Sequence, residues 1–310
     1  MKPRKFFSKL IPRRVAVAHR HARMRMFRLP AIWRGMLWVA LSGLVFSGLN
    51  ATVRTITLSL DPFLSQFLHY LFGTVAMLPL VWRQGLQSCM PVNLRGQFGR
   101  GAVHTVGLTL WFIALPHLGL ADITAIGFTG PIFIMLGAAW FLGEKMRGDR
   151  WVAACIGFAG VVVVAPRLTG QGGGYFLVML ASSPVFAASF LMTKTLTRYE
   201  KSGVIVLWQA ISVTVLSLPM GLLHWSTPAP LQWLEFLLAG ILGSLGQYCL
   251  TRGFRTADIS ATQSLRFLDL IWASLMGWLV FSDVPSRTTL LGALVILAST
   301  IWIARREHRR

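Results

Sequence analysis

The 30 lysines and arginines of this chain sit at its ends and in alternate gaps between apolar stretches, and that placement constrains its fold more than any other feature. Membrane proteins keep basic residues in their short cytoplasmic loops, because the bias sets helix orientation during insertion. With the N-terminus assigned to the cytoplasm, the even-numbered side receives 26 of them. The opposite side receives only Arg54, Arg167 and Arg287, and one residue, Arg266, falls inside an apolar stretch. The pattern predicts a multi-pass protein with both termini cytoplasmic.

A bilayer core needs roughly 20 apolar residues per helix. Ten stretches meet that length: 32–54, 63–82, 99–117, 121–142, 150–166, 174–194, 203–223, 232–252, 257–281 and 288–304. Polar or glycine-bearing segments such as Asp61-Pro62, Gly170 to Gly174 and Thr227-Pro228 separate them. The charged fraction, 13%, is about half that of soluble domains, near 25%. The net charge of +20 invites a nucleic-acid partner, but the charge is spread over every second loop instead of one face. Anionic lipids at the basic cytoplasmic loops account for it, and no nucleic acid is expected.

Other classes find little support. Cys89, Cys155 and Cys249 are far apart and show no metal-ligand spacing, so no metal, cofactor or disulfide framework is expected. No GxxxxGK[ST] loop, HExxH or GxSxG occurs, which argues against an ATP motor and against an intramembrane enzyme. A non-transporting interaction protein would call for long loops or a soluble domain. Residues 1–31 hold no acidic side chain and lack the apolar core and cleavage site of a signal peptide. They read as a basic cytoplasmic tail, with Met24, Met26 and Met36 as alternative starts; residues 306–310 form a second such tail.

The two halves are alike. At an offset of 140, Phe46 to Arg54 falls on Phe186 to Lys194, and His69 falls on Gln209. At an offset of 136, ADITA at 121–125 falls on ADISA at 257–261, and a three-residue shift then sets Pro131 against Leu270 and Glu144 against Asp283. Five spans per copy is odd, so the copies must be threaded in opposite senses, an arrangement that puts transporter substrate sites near the midplane. The repeats are expected at 32–167 and 168–305, in an all-α membrane protein of ten helices.

Ionisable groups at bilayer depth are costly and usually functional, which ranks Asp269 and Arg266 first as candidates for substrate binding or coupling. Their spacing of three allows them to pair on one helix face. The competing account is an internal ion pair that pins the helix to its neighbours. Gln263 extends the polar stripe toward the cytoplasmic end. Asn50, Ser47, His69, His104, Gln209 and Gln247 are weaker candidates, because a lone polar residue is as often an interhelical partner. Trp111 and Trp272 lie near mid-span and could stack on an aromatic substrate, while most other tryptophans suit the headgroup level. Pro131 after Gly130 should kink the fourth span, and Pro184 the sixth, as hinges or as tolerated kinks. Gly240, Gly243 and Gly246 make a smooth strip for close helix packing.

The chain resembles the drug/metabolite transporter superfamily, in its EamA group of ten-helix permeases. Two helix-plus-acid segments carry the resemblance: Ala125 to Glu144, AIGFTGPIFIMLGAAWFLGE, and Ala261 to Asp283, ATQSLRFLDLIWASLMGWLVFSD, each followed by an apolar helix. Arg54 and Lys194, each ending the first helix of its half, also fit. The sequence departs from the common pattern at His69, where the second helix often carries arginine, and at Asp269-Leu270, where Glu-Pro is frequent. The resemblance implies a secondary transporter of a small polar or amphipathic metabolite in the bacterial inner membrane, working by alternating access. Export of an amino-acid-like compound, metallophore or drug is expected on family frequency. Import of a riboflavin-like or nucleoside-like metabolite is the alternative. A proton is a candidate coupling ion, and the oligomeric state stays open.

Overall fold

The computed structural model describes residues 30–118, 126–127, 129–144, 148, 151–152, 155 and 174–281. Residues 1–29 and 306–310, most of the predicted span 150–166, the whole of 288–304, the ADITA segment and Asp283 lie outside the described residues. Among the described residues the protein is all helical, with no strand. Six helices among the described residues are long and apolar enough to cross a membrane. They are α1 (Ala31–Thr57), α2 (Pro62–Gln84), α3 (Leu94–Ala114, extended by a 3-10 turn to His117), α5 (Gly174–Leu196), α6 (Ser202–Leu223) and α7 (Pro230–Thr256). Between them come α4 (Gly130–Leu142), and after α7 a short α8 (Ile259–Gln263), a 3-10 segment (Ser264–Leu268) and α9 (Asp269–Phe281).

Local chemistry sets the ends. Asp61 caps α2 by accepting from Phe63 N at 2.8 Å, with Pro62 in the first turn where its missing N–H costs nothing. Asn93 caps α3 through Gly96 N at 2.8 Å. Gly143 closes α4 in the left-handed region at φ 65, which glycine adopts without strain.

The bundle interleaves the halves. Helix α1 packs most densely on α7, α3 on α5, and α2 on both α6 and α7, while α3 meets α6, α4 lies on α5 and α9 on α1. Lipid tails are as apolar as leucine, so close backbone approach and interhelical hydrogen bonds must hold such a bundle together. The glycine strip serves this purpose: Gly240 abuts the Phe72 backbone, Gly243 the His69 ring and Gly246 the Phe46 ring. Gly101 and Gly107 of α3 meet Ser212 and Phe186 in the same way. Residues 72 and 212, and 46 and 186, are each 140 apart, so glycines in α3 and α7 receive matched residues from opposite halves.

Three expectations need correction. Span 257–281 is not one helix; it starts at Ile259 and breaks into a 3-10 segment over Ser264–Leu268. Pro131 does not kink a continuous helix, because it lies in the first turn of α4, where no hydrogen bond is lost. Arg100, counted with the loop residues, lies inside α3 and is fully buried (0% exposed). Pro184 is within α5, and Pro79 and Pro219 likewise lie inside α2 and α6, each of which continues past its proline.

Candidate functional site

A cavity of about 260 Å³ opens between the halves, walled by α1, α2, α3, α4, α5, α7 and the α8–α9 segment. A water's share of liquid volume is about 30 Å³, so the space equals roughly nine waters. Its walls include the aromatic side chains of Phe46, Tyr70, Trp111, Phe112, Phe186 and Phe190. Its polar groups are Ser47, Asn50, His69, His104, Ser182, Ser183, Gln247, Gln263, Arg266 and Asp269.

The break in the α8–α9 segment presents the charged pair. In a 3-10 turn, residues three apart eclipse one another. Arg266 in the turn and Asp269 at the start of α9 therefore meet, with Nε 3.0 Å from Oδ2. Both side chains keep 24% exposure, so the pair is open to the cavity. The guanidinium also lies over the Phe190 ring, 5.8 Å from its centroid, a cation–π contact. Asp269 is accommodated because residue 43 is glycine; a Cβ there would overlap its Oδ1. Gln263 donates to Ile259 O at 2.9 Å, and its Oε1 is buried without a protein partner among the described residues.

From α3, His104 lies 3.1 Å from Tyr70 Oη and 3.1 Å from Ser189 Oγ, so one ring ties α3 to both α2 and α5. It also meets the edges of Phe186 and Phe190. The histidine is 2% exposed, with both ring nitrogens within hydrogen-bond distance of a partner, and holds the aromatic wall in place.

Of the residues singled out by sequence, Asp269, Arg266, Gln263, His69, Asn50, Trp111, Gln247, Gly130 and Pro131 line this cavity. Gln209, Trp272 and Pro184 do not. Gln209 is turned into a smaller pocket and accepts a hydrogen bond from Arg100. Trp272 lies against Gly43, its indole N–H buried without a partner among the described residues. Trp140 and Trp278 are exposed on the outside of the bundle. Sequence reasoning missed Arg100, whose guanidinium also donates to Ile205 O at 3.2 Å, and the aromatic wall from Phe186 and Phe190. The even spacing of those two phenylalanines, four apart, was a signal that they share a face.

Two further contacts frame the site. Glu144, just past α4, accepts from Ile259 N at 3.0 Å, Ser260 N at 3.1 Å and Ser260 Oγ at 2.6 Å, capping α8. Lys194 donates to Phe254 O at 2.7 Å and Ala257 O at 2.6 Å, setting a cation on the C-terminal end of α7. Among the described residues, no group of three His, Cys, Asp or Glu could hold a metal ion.

The described helices thus form an apolar bundle around a cavity with aromatic and polar walls. The chain belongs to the EamA-like transporter family, within the drug/metabolite transporter superfamily; the family model matches residues 33–165 and again 173–305. A protein named riboflavin transporter from Rhizobium johnstonii is 32% identical over 279 residues, covering 89% of this chain and 92% of the relative. An S-adenosylmethionine uptake transporter from Rickettsia felis is 26% identical over 89% of this chain and 94% of its own length. The pseudopaline exporter CntI of Pseudomonas aeruginosa is 26% identical over 87% of this chain and 96% of its own length. A solved crystal structure matches with a TM-score of 0.73 at 18% identity, covering 89% of this chain and 98% of that one, a likeness of fold. The chain is thus a multi-pass membrane protein of a transporter family, not an enzyme.

Proposed function

We propose that this protein is a secondary transporter that takes up a heteroaromatic metabolite with polar substituents, of flavin or nucleoside type, across the bacterial inner membrane. The observation that carries this reading is the pairing of aromatic walls with one ion pair inside a single cavity. Flat faces such as Phe186, Phe190 and Trp111 suit a planar ring, which stacks on aromatic groups. Arg266 and Asp269 then offer one charge of each sign to its polar edge. Asn50, His69, Gln247 and Gln263 supply neutral hydrogen bonds around the rim. The names of the riboflavin and S-adenosylmethionine relatives support the ring chemistry, and that of the S-adenosylmethionine uptake transporter supports the inward direction.

In this reading ten helices form two inverted five-helix repeats, 32–167 and 168–305, with both termini cytoplasmic. The two family matches, the crosswise packing and the matched glycine contacts support it. The halves rock about the cavity, which closes on one side as it opens on the other. The broken α8–α9 segment gives the ion pair a position that substrate can reach, and Asp269 is the group that would carry a coupling proton. Gly130 and Pro131, at the start of α4, and Pro184 in α5 are the candidate points of bending.

Export is the second reading, and the pseudopaline exporter relative favours it. Growth decides between them. In a riboflavin auxotroph lacking its own uptake system, the importer restores growth on low external riboflavin, and the exporter leaves growth unchanged or worsens it. Parallel growth of a strain dependent on external S-adenosylmethionine tests the nucleoside branch. Failure of both rules out the import reading.

A further inference from the structure

The main cavity differs along its length, and α1 gives the scale. Gly43, Phe46, Ser47 and Asn50 all line it, a spacing that puts them on one face of that helix. Asp269 abuts α1 at Gly43, so the Arg266–Asp269 pair sits at that level. Asn50 lies seven residues further, two turns along the same face. At roughly 1.5 Å per residue that is about 10 Å.

The aromatic walls divide in the same way. Arg266 lies over Phe190, which stacks on Phe186, and Phe186 packs against Gly107 of α3. Trp111 is one turn past Gly107, about 6 Å along α3. The C-terminal ends of α1 and α3 meet, and Val53 and Ile56 share one apolar cluster with Leu115 and Leu118. Asn50 and Trp111 are therefore displaced from the ion pair toward the same end of the cavity.

The two ends offer different chemistry. At the first, Arg266 and Asp269 hold opposite charges side by side. At the second, Asn50, Val53, Trp111 and Leu115 line the space with no charge among them. Asn50 is exposed there and makes no hydrogen bond among the described residues, so both halves of its amide are free. A side-chain amide donates and accepts, as a hydroxyl does. A charged group at that end would lose its hydration and meet no partner of opposite sign.

We infer that Asn50 reads a neutral hydroxyl carried about 10 Å from the ring edge held at the Arg266–Asp269 pair, so that the transported molecule touches both ends. Both ends belong to the substrate site proposed above, and the assignment rests on that reading. A ring with an uncharged polyol or ribose arm spans the distance. A bare ring of either class leaves Asn50 unmatched.

Binding to the full-length protein in detergent tests this with matched probes. Riboflavin and lumiflavin share a ring, and lumiflavin carries a methyl group in place of the hydroxylated arm; adenosine and adenine make the second pair. The wild type should hold the armed member of at least one pair about tenfold more tightly, the scale of one hydrogen bond. Asn50→Leu should remove that preference by weakening the armed member alone, and Asn50→Ala should do the same. Melting temperatures show that each variant is folded. Equal affinities within both pairs for the wild type overturn the inference. So does a preference that survives both variants, or a loss shared equally by the two members of a pair. If no probe binds, the ring-metabolite reading fails separately, and the two-ended site is judged without ligand. With Cys89, Cys155 and Cys249 replaced by alanine, Asn50→Cys and Asp269→Cys in one chain should be joined by a long bis-thiosulfonate and not by the shortest one. Joining by the shortest, or by neither, overturns it.

Discussion

The hydroxyls of Thr74 and Thr214 lie 3.3 Å apart across the α2–α6 contact, and these residues are separated by 140 positions. That is also the offset at which His69 falls on Gln209 and Phe46 on Phe186. Two matched residues of a two-fold pair can touch only near the axis relating them, so the α2–α6 contact marks where that axis would run. Gly101 against Ser212 and Gly240 against Phe72 lie on either side of it. Cysteines at 74 and 214, with Cys89, Cys155 and Cys249 replaced by alanine, should be joined within one chain by a short thiosulfonate cross-linker. Mass spectrometry of the digest should find the linked peptides; single-cysteine chains that give the same product would contradict the packing.

Arg100 and Gln209 should respond unequally to substitution. Gln209→Leu leaves a buried guanidinium with one partner fewer, a loss of roughly 2 kcal/mol for a charged group. Arg100→Met removes the charge with its need for partners, leaving a neutral amide oxygen unpaired, and should lower the melting temperature less. Thermal unfolding in detergent checks the order of the two variants, and the reverse order would mean that Arg100 has another partner.

Glu144 ties the end of α4 to the start of α8 through three hydrogen bonds. Its loss should act on the broken segment that carries Arg266 and Asp269. Glu144→Ala is expected to cost about 1–2 kcal/mol, as for a lost helix cap, and to slow transport more than it weakens binding. Glu144→Gln keeps an acceptor and should fall between. Flux and binding measured on the same preparations separate the two effects.

Gly240 has no room for a side chain: a Cβ would lie 2.5 Å from the Phe72 carbonyl carbon and 2.6 Å from Gly73 N. Those are backbone atoms and cannot rotate aside. Gly240→Ala should push α7 from α2 and cost about 1–3 kcal/mol through overpacking. Gly130→Ala, where a Cβ meets nothing within 4 Å, is the control. Equal melting temperatures for the two variants would contradict the close approach.

Much of this was legible because bilayer thickness dictates helix length, which picks out the six long helices from apolar run length alone. The spacing of Arg266 and Asp269 likewise implied their contact. The break over Ser264–Leu268 was not legible, since neither glycine nor proline announces it. Arg100 was misread because it stands one to two turns inside the start of α3, where a cation usually belongs to the loop. Gln209 and Trp272 show the remaining difficulty: a sequence says that a residue is inside the bundle, but neighbouring helices decide which cavity it meets.

The most direct test of the account is riboflavin flux into liposomes containing the wild-type protein or Asp269→Asn, at matched protein content. The account predicts saturable uptake for the wild type above protein-free liposomes, and uptake at background for Asp269→Asn with its melting temperature little changed. Wild-type flux at background would contradict the flavin substrate, and wild-type-like flux in Asp269→Asn would reduce the Arg266–Asp269 pair to a structural tie.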